Sequence, residues 1–333
     1  MASDDTAIGL GLESSCDETA ASVVRGGTEV LSSCIYSQIA LHKEYFGVVP
    51  EIASRAHLEL INGLVRKALS DAGAGFEDLS YVAATQRPGL VGSLLIGLQS
   101  AKAVSYAMGI PLIAVSHLEA HLYAPFLEGA DLSFPYIGLL VSGGNTALYR
   151  VDGIGEMTVL GRTVDDAVGE AFDKVAKFLG LEYPGGPVIE RMARGARNRK
   201  NIFPKILPDP EEGYRFSYSG LKTAVINYIR KNPGADKADI VYSFQERALE
   251  ILVRRLFDAA RREGIGRMVV AGGVAANGRL RDMIRERKNA GETVLIPSLA
   301  LCTDNAAMVA GLGYRYFAKG ARSGLDADVY ARG

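Results

Sequence analysis

Twice in this chain an apolar strand runs into a turn of small and polar residues and returns as a second strand: IGLGLESSCDETAASVVRGG from Ile8 and IGLLVSGGNTALYRVDGIG from Ile137. Apolar runs bounded by Gly, Ser and Asn read as strands, and a short turn between two of them reads as a hairpin. A weaker correspondence follows each hairpin. YVAATQRPGLVGSLLIGL and MVVAGGVAANGRLRDMI each give a strand, a Gly-containing turn and the start of a helix. Together these segments predict a duplicated α/β architecture with a ligand in the cleft between the halves. The boundary is expected in LEGADLSFP, around Gly129 to Pro135, giving a first lobe over 1–130 and a second over 131–325.

The halves are unequal. An insertion over roughly 164–260 reads largely as helix, in DDAVGEAFDKVAKFLG, GLKTAVINYIRK and DIVYSFQERALEILVRRLFDAARRE. Apolar positions in the last of these recur at helical spacing, which marks a core-facing side rather than a binding stripe. The last helix of the chain is a candidate to pack back onto the first lobe.

Composition bounds the function loosely. The 333 residues are 48% hydrophobic and 23% charged, enough for a sizeable core. A net charge of −1 neither implies nor excludes a nucleic-acid partner, because a local basic patch suffices. One such patch is ERMARGARNRKNIFPK, with Arg191, Arg194, Arg197, Arg199, Lys200 and Lys205; it reads equally as a solvated helix face. Three cysteines without framework spacing suit a reducing cytoplasm. MASDDTAIGL lacks the basic start and long apolar core of a signal peptide. The most apolar helix is interrupted by Ser93, Gln99 and Lys102 and does not read as a membrane span.

Two of the four histidines, His117 and His121, lie four residues apart in VSHLEAHLYA. Ser116 is a good helix N-cap, so a helix is expected to start there. On a helix the two imidazoles share a face and can chelate a divalent metal, or they are simply buried polar side chains. A zinc-protease reading fails on spacing. That chemistry puts a glutamate directly after the first histidine, whereas Glu119 comes two residues after His117 and is expected in a capping or surface role. Asp304, in LCTDNAAM, is either a helix cap or a third metal ligand.

The best ligand loop is VSGGNT, where Gly143 and Gly144 let backbone N–H groups approach a phosphate or acyl group. SSCDET repeats the device in the other half. No Walker-type phosphate loop is present. VAGGVAANGRLR sets Asn277 at the opening of a helix, suited to a nucleotide's sugar or base. Asp173 and Lys174 read by themselves as a solvated helical pair.

GLESSCDETAASVV, SQIALHKEYFGVVPEIASRAHLE, SHLEAH, LLVSGGNT, DDAVGEAFDKVAKFLGLEYPGGP, FSYSGLKT, GGVAANGRLR and CTDNAAM follow one another over nearly the whole chain. In that combination and order the chain resembles the universal tRNA threonylcarbamoyltransferase family, called TsaD in bacteria and formerly known as O-sialoglycoprotein endopeptidase. The resemblance implies a duplicated, two-lobed actin-like and sugar-kinase-like fold. It implies a cytoplasmic enzyme that moves a threonylcarbamoyl group from threonylcarbamoyl-adenylate to N6 of the adenosine beside the tRNA anticodon. It assigns His117, His121 and Asp304 to one divalent metal, iron or zinc. Leu140, Val141, Ser142, Gly143, Gly144, Asp173, Gly186, Glu190 and Asn277 would contact the adenylate. Arg191, Arg194 and Arg197 are the candidates for tRNA. The implied partners are a paralogous TsaB-like subunit forming a heterodimer, a TsaE-like ATPase, and the synthase that makes the adenylate. A small-molecule kinase or a non-catalytic scaffold of the same fold are the competing classes. The chain departs from the family pattern at Ala120, Arg87 and Glu190, where Gly, Gly and Asp are common.

Overall fold

A computed structural model describes residues 6–131, 133–205 and 213–332 of the chain. They form two compact units, Met1–Leu132 with Thr303–Gly333, and Ser133–Cys302. The chain passes from the first unit to the second at 132/133. It rejoins the first unit at Thr303.

The first unit opens with β1 (Ile8–Glu13), β2 (Glu18–Arg25) and β3 (Glu29–Ser37), then α1 (Ile39–His42), α2 (Pro50–Ala72), β4 (Leu79–Arg87), α3 (Val91–Met108), β5 (Leu112–Ser116) and α4 (His117–Tyr123). Its sheet runs β3-β2-β1-β4-β5. The hairpin pairs are antiparallel, and β1–β4 and β4–β5 are parallel. Leu10, Leu12, Val23, Val82 and Leu98 are among its fully buried residues.

The second unit holds β6 (Tyr136–Val141), β7 (Thr146–Gly153), β8 (Glu156–Arg162), α5 (Val168–Phe178), α6 (Gly185–Arg194), α7 (Ser219–Lys231), α8 (Lys237–Glu263), β9 (Arg267–Ala271), α9 (Gly278–Arg287), β10 (Thr293–Leu295) and α10 (Leu299–Cys302). Its sheet runs β10-β9-β6-β7-β8, again with an antiparallel hairpin side and a parallel side. Strand for strand this is the order of the first sheet. The duplicated actin-like architecture expected from sequence is therefore present.

The 27-residue helix α8 is started by Asp236, whose carboxylate accepts from Ala238 N at 2.8 Å. Its positions Val241, Phe244, Ala248, Leu249, Leu252 and Leu256 are fully buried, the core-facing stripe that the spacing predicts. Phe244 meets Phe172 of α5 edge-on at 5.0 Å, a geometry worth about 0.5–1.5 kcal/mol beyond burial.

α11 (Ala306–Ala318) returns to the first sheet. The contact is close enough to dictate a glycine. A Cβ on Gly11 of β1 would lie 2.2 Å from Ala306 O and 2.7 Å from Ala310 N. Backbone on both sides cannot step aside, so α11 is held against β1 and carries Asp304, two residues before its first turn, with it. Among the described residues no helix is long and apolar enough to cross a membrane.

Candidate functional site

α4 begins directly where β5 ends, so His117 sits at the end of the parallel edge strand of the first sheet. Ser116 holds the N-cap position with extended backbone, but its side chain makes no capping bond. His117 and His121 share one helix face, with ring centroids 4.5 Å apart and planes at 81°. Both are buried.

The third residue arrives from the other end of the chain. The cap of α11 is Asn305, whose side chain accepts from Met308 N at 2.9 Å. Asp304 is thereby left for the histidines: its Oδ1 lies 2.9 Å from His121 Nε2 and 3.6 Å from His117 Nε2. One ligand atom from each of His117, His121 and Asp304 falls within 4.8 Å of the others. Two imidazoles and a carboxylate are a donor set for zinc or iron, and three protein ligands leave coordination positions open. The buried His121 Nδ1 has no hydrogen-bond partner among the described residues.

The electrostatics are those of a charge cluster in a dry site. Burial disfavours the imidazolium of His117, but Glu13 and Asp304 outweigh it and raise its pKa to about 9. Burial pushes the carboxyl of Asp304 up, but His117 and His121 pull it down to about 2. Glu13, the last residue of β1, is fully buried, and His117 likewise holds its carboxyl low against burial. Its Oε2 lies 3.0 Å from His117 Nδ1. Sequence reasoning assigned Glu13 nothing; the available signal was a lone acid closing an otherwise apolar strand.

Glu119 corrects one expectation. It is buried rather than on the surface, and its Oε2 accepts from Tyr316 Oη at 2.8 Å. The other histidines serve structure. His57 bridges Thr19 Oγ1 and Cys16 O, and His42 engages Gln38 and Val49 N.

In the second unit the VSGGNT turn joins β6 to β7, with Ser142 N donating to Asn145 O at 2.8 Å. Leu140 and Val141 are fully buried, so these two can offer a ligand only their backbone. Gly143 and Gly144 are exposed, and a Cβ on either would meet nothing within 4 Å. The turn rests on the start of α5. A Cβ on Gly169 would fall 2.7 Å from Ser142 O and 2.8 Å from Gly143 Cα.

The remaining candidates are linked through that helix. Asp173 of α5 is not paired with Lys174, which instead bonds Asp166 and Glu170 at 2.7 and 2.8 Å. Asp173 Oδ1 accepts from Gly185 N at 2.6 Å, which ties down the turn leading to Gly186. Burial raises its pKa to about 6 against the pull of that bond. Glu190 Oε1 accepts from Gly278 N at 3.1 Å. Asn277 caps α9 through Leu280 N at 3.0 Å and donates to Gln245 at 3.1 Å. A cavity of about 490 Å³ opens here, lined by Glu190, Arg194, Gln245, Glu246, Gly278 and Arg279. Loop, α5, α6 and α9 thus form one contiguous network. In the basic stretch, Arg194 is paired with Glu190 at 2.6 Å, and Arg197 N donates to Asp239 at 2.9 Å. Arg191 and Arg197 are exposed.

Residues 29–311 match the family model of TsaD, tRNA N6-adenosine threonylcarbamoyltransferase. The chain belongs to this family. The enzyme of that name from Geobacter metallireducens is 52% identical over 325 residues, covering 96% of this chain and 95% of the relative. That from Treponema denticola is 49% identical over 328 residues, covering 97% and 96%. As a threonylcarbamoyltransferase-family member the chain is a transferase acting in tRNA modification. Solved structures add the fold. Full-length HypF in its phosphate- and nucleotide-bound form matches with TM-score 0.64 at 16% identity, over 98% of this chain and 48% of HypF. Component A of the Acidaminococcus fermentans (R)-2-hydroxyglutaryl-CoA dehydratase matches with TM-score 0.57 at 16% identity, over 94% of this chain and all of that one.

Proposed function

We propose that the chain transfers the threonylcarbamoyl group of threonylcarbamoyl-adenylate to N6 of adenosine 37, the base 3′ of the anticodon, in tRNAs that read codons beginning with A. The observation that carries this reading, in a chain of this family, is the convergence of His117, His121 and Asp304. A C–N bond forms between N6 and the carbamoyl carbon. The C–O bond to the phosphate breaks, AMP leaves with the electron pair, and N6 loses a proton. The exocyclic amine is a weak nucleophile, so positioning and electrophile polarisation carry the catalysis.

His117, His121 and Asp304 would hold one divalent metal, iron or zinc, which supplies Lewis acidity and an anchor for the substrate. The chain's other residues bind and orient. The open backbone of Ser142, Gly143 and Gly144, with Leu140 and Val141 behind it, suits the adenylate phosphate. Asp173, Gly186, Glu190 and Asn277 frame the rest of the nucleotide. Arg191, Arg194 and Arg197 are the candidate contacts to the tRNA backbone. The reading brings with it a cytoplasmic location, an upstream adenylate synthase, a TsaB-like paralogue as heterodimer partner and a TsaE-like ATPase. A kinase of the same fold would consume ATP without tRNA. A scaffold paralogue would not need the metal ligands that this chain keeps.

The test is mass analysis of tRNA nucleosides after incubation with threonylcarbamoyl-adenylate, with and without the chain and its partner proteins. Threonylcarbamoyladenosine should appear only with the chain. ATP turnover with a small molecule and no modified nucleoside would favour the kinase instead.

A further inference from the structure

Glu13 is, among the described residues, the one fully buried carboxylate that the proposed function leaves without a task, yet its side chain is tied on both oxygens. Oε1 accepts from Ser15 N at 2.6 Å. Oε2 accepts from Thr85 Oγ1 at 2.6 Å and faces His117 Nδ1 at 3.0 Å. The donors come from the turn after β1, from β4 and from α4. With Ser15 and Thr85 both donating, the carboxylate cannot swing, and the oxygen it turns to His117 can only accept.

That fixes the chemistry of the ring. A neutral imidazole has one N–H, and a carboxylate opposite Nδ1 requires that proton to be on Nδ1. The lone pair is then on Nε2, the atom that faces Asp304. Among the described residues nothing comparable holds His121, whose Nδ1 has no hydrogen-bond partner there. We propose that Glu13 is the positioning residue of the metal centre: it selects the Nδ1–H tautomer of His117, aims Nε2 at the metal, and so sets the affinity of the site. This rests on the metal reading above. The competing role is a purely structural one, a buried acid that braces the β1 turn whatever the tautomer of His117.

Two measurements on the full chain separate these. Chelator competition with Zn²⁺ compares wild type with Glu13→Gln, whose amide puts a donor among three donors. Loss of such an outer partner weakens metal binding by about 10- to 100-fold, and that loss is expected here in a protein whose circular dichroism is unchanged. Long-range ¹H–¹⁵N spectra of zinc-loaded wild type should show His117 protonated at Nδ1 and bound to zinc through Nε2. A folded Glu13→Gln with wild-type zinc affinity would overturn the proposal, as would zinc on His117 Nδ1. Should Glu13→Gln fail to fold, the wild-type spectrum alone decides. A wild type that takes up no zinc or iron would remove the metal reading itself, a different result from metal bound through the wrong nitrogen.

Discussion

The two sheets share one strand order, but the turns that leave their central strands are built for opposite purposes. β1 ends in Glu13 and β6 ends in Val141, both fully buried. After Glu13 the turn is filled by its own side chains: Glu13 takes Ser15 N, and Ser14 Oγ donates to Ser93 O and accepts from Gly97 N. After Val141 the turn is left open, with Gly143 and Gly144 exposed and no atom within reach of an added Cβ. The filled turn fixes a carboxylate against His117. An open turn presents backbone N–H groups. Duplication supplied the frame twice, and the residues just past each central strand leave one turn filled and the other open.

The comparison predicts that damage to the two turns will separate cleanly. Removing a ligand should give the largest effect: Asp304→Ala is expected to abolish both zinc uptake, measured by chelator competition, and nucleoside product, measured by mass analysis, in a protein that remains folded. Wild-type zinc uptake by this variant would remove Asp304 from the ligand set. Gly169→Ala should spare the metal and strike the other turn. Its Cβ would press on the backbone of Ser142 and Gly143, an overpacking worth about 1–3 kcal/mol. Product formation should then require more adenylate, at unchanged metal affinity. Gly143→Ala has open space around it, so stability should stay within about 0.5 kcal/mol while the KM for the adenylate rises. A KM unchanged in both variants would mean that the ligand does not use this turn.

Much of the first-order pattern was legible in the sequence, because apolar runs closed by small residues announce strands whatever surrounds them. The hairpins, the strand–helix units, the core stripe of α8 and the shared face of His117 and His121 all follow from local spacing. What was not legible depends on partners far along the chain. Glu13 meets Thr85 and His117 across 72 and 104 residues, and Glu119 is drawn inside by Tyr316, 197 residues away. Asp304 and Asn305 are both chemically able to cap α11. Only the packing of α11 on β1 decides that Asn305 caps and Asp304 turns to His121. The same packing returns the chain end to the first unit. Asp173 beside Lys174 reads as an ion pair until α6 brings Gly185 N to its carboxylate.

A smaller, graded effect sharpens the contrast between the turns, because the first, through Glu13, faces the charge cluster of His117 and Asp304. In the metal-free chain the pKa of His117 is raised above its unfolded value to about 9. Its contribution to stability is therefore complete below the unfolded pKa of about 6.5 and is lost as pH rises toward 9. That of Asp304, lowered to about 2, is present above the unfolded pKa of about 3.9 and is lost as pH falls toward 2. Thermal melts of the metal-free chain should thus be most favourable between these limits and decline through pH 7–9. Metal must displace the proton on His117, so apparent zinc affinity should rise about tenfold per pH unit up to about 9. A pH-independent affinity over that range would show that His117 binds without losing a proton, contrary to the charge cluster described here.

The smallest expected effect lies on the second unit's basic stretch, where neither turn is involved. Charge removal at Arg191, Arg194 and Arg197 should weaken tRNA binding and flatten its dependence on salt, because each phosphate contact releases a counterion. Three independent contacts would each reduce the slope by about one. Arg194, however, already has Glu190 at 2.6 Å, so its positive charge is partly spent within the protein and the summed change should be nearer two. Binding isotherms across a salt series measure this directly, with zinc affinity and adenylate KM as internal controls that should not move. If the slope is unchanged, the stretch is a solvated helix end and the tRNA is held elsewhere. If Arg194→Gln alone alters adenylate KM, its partner Glu190 has been released from Gly278, and the effect belongs to the network around the open turn rather than to the tRNA.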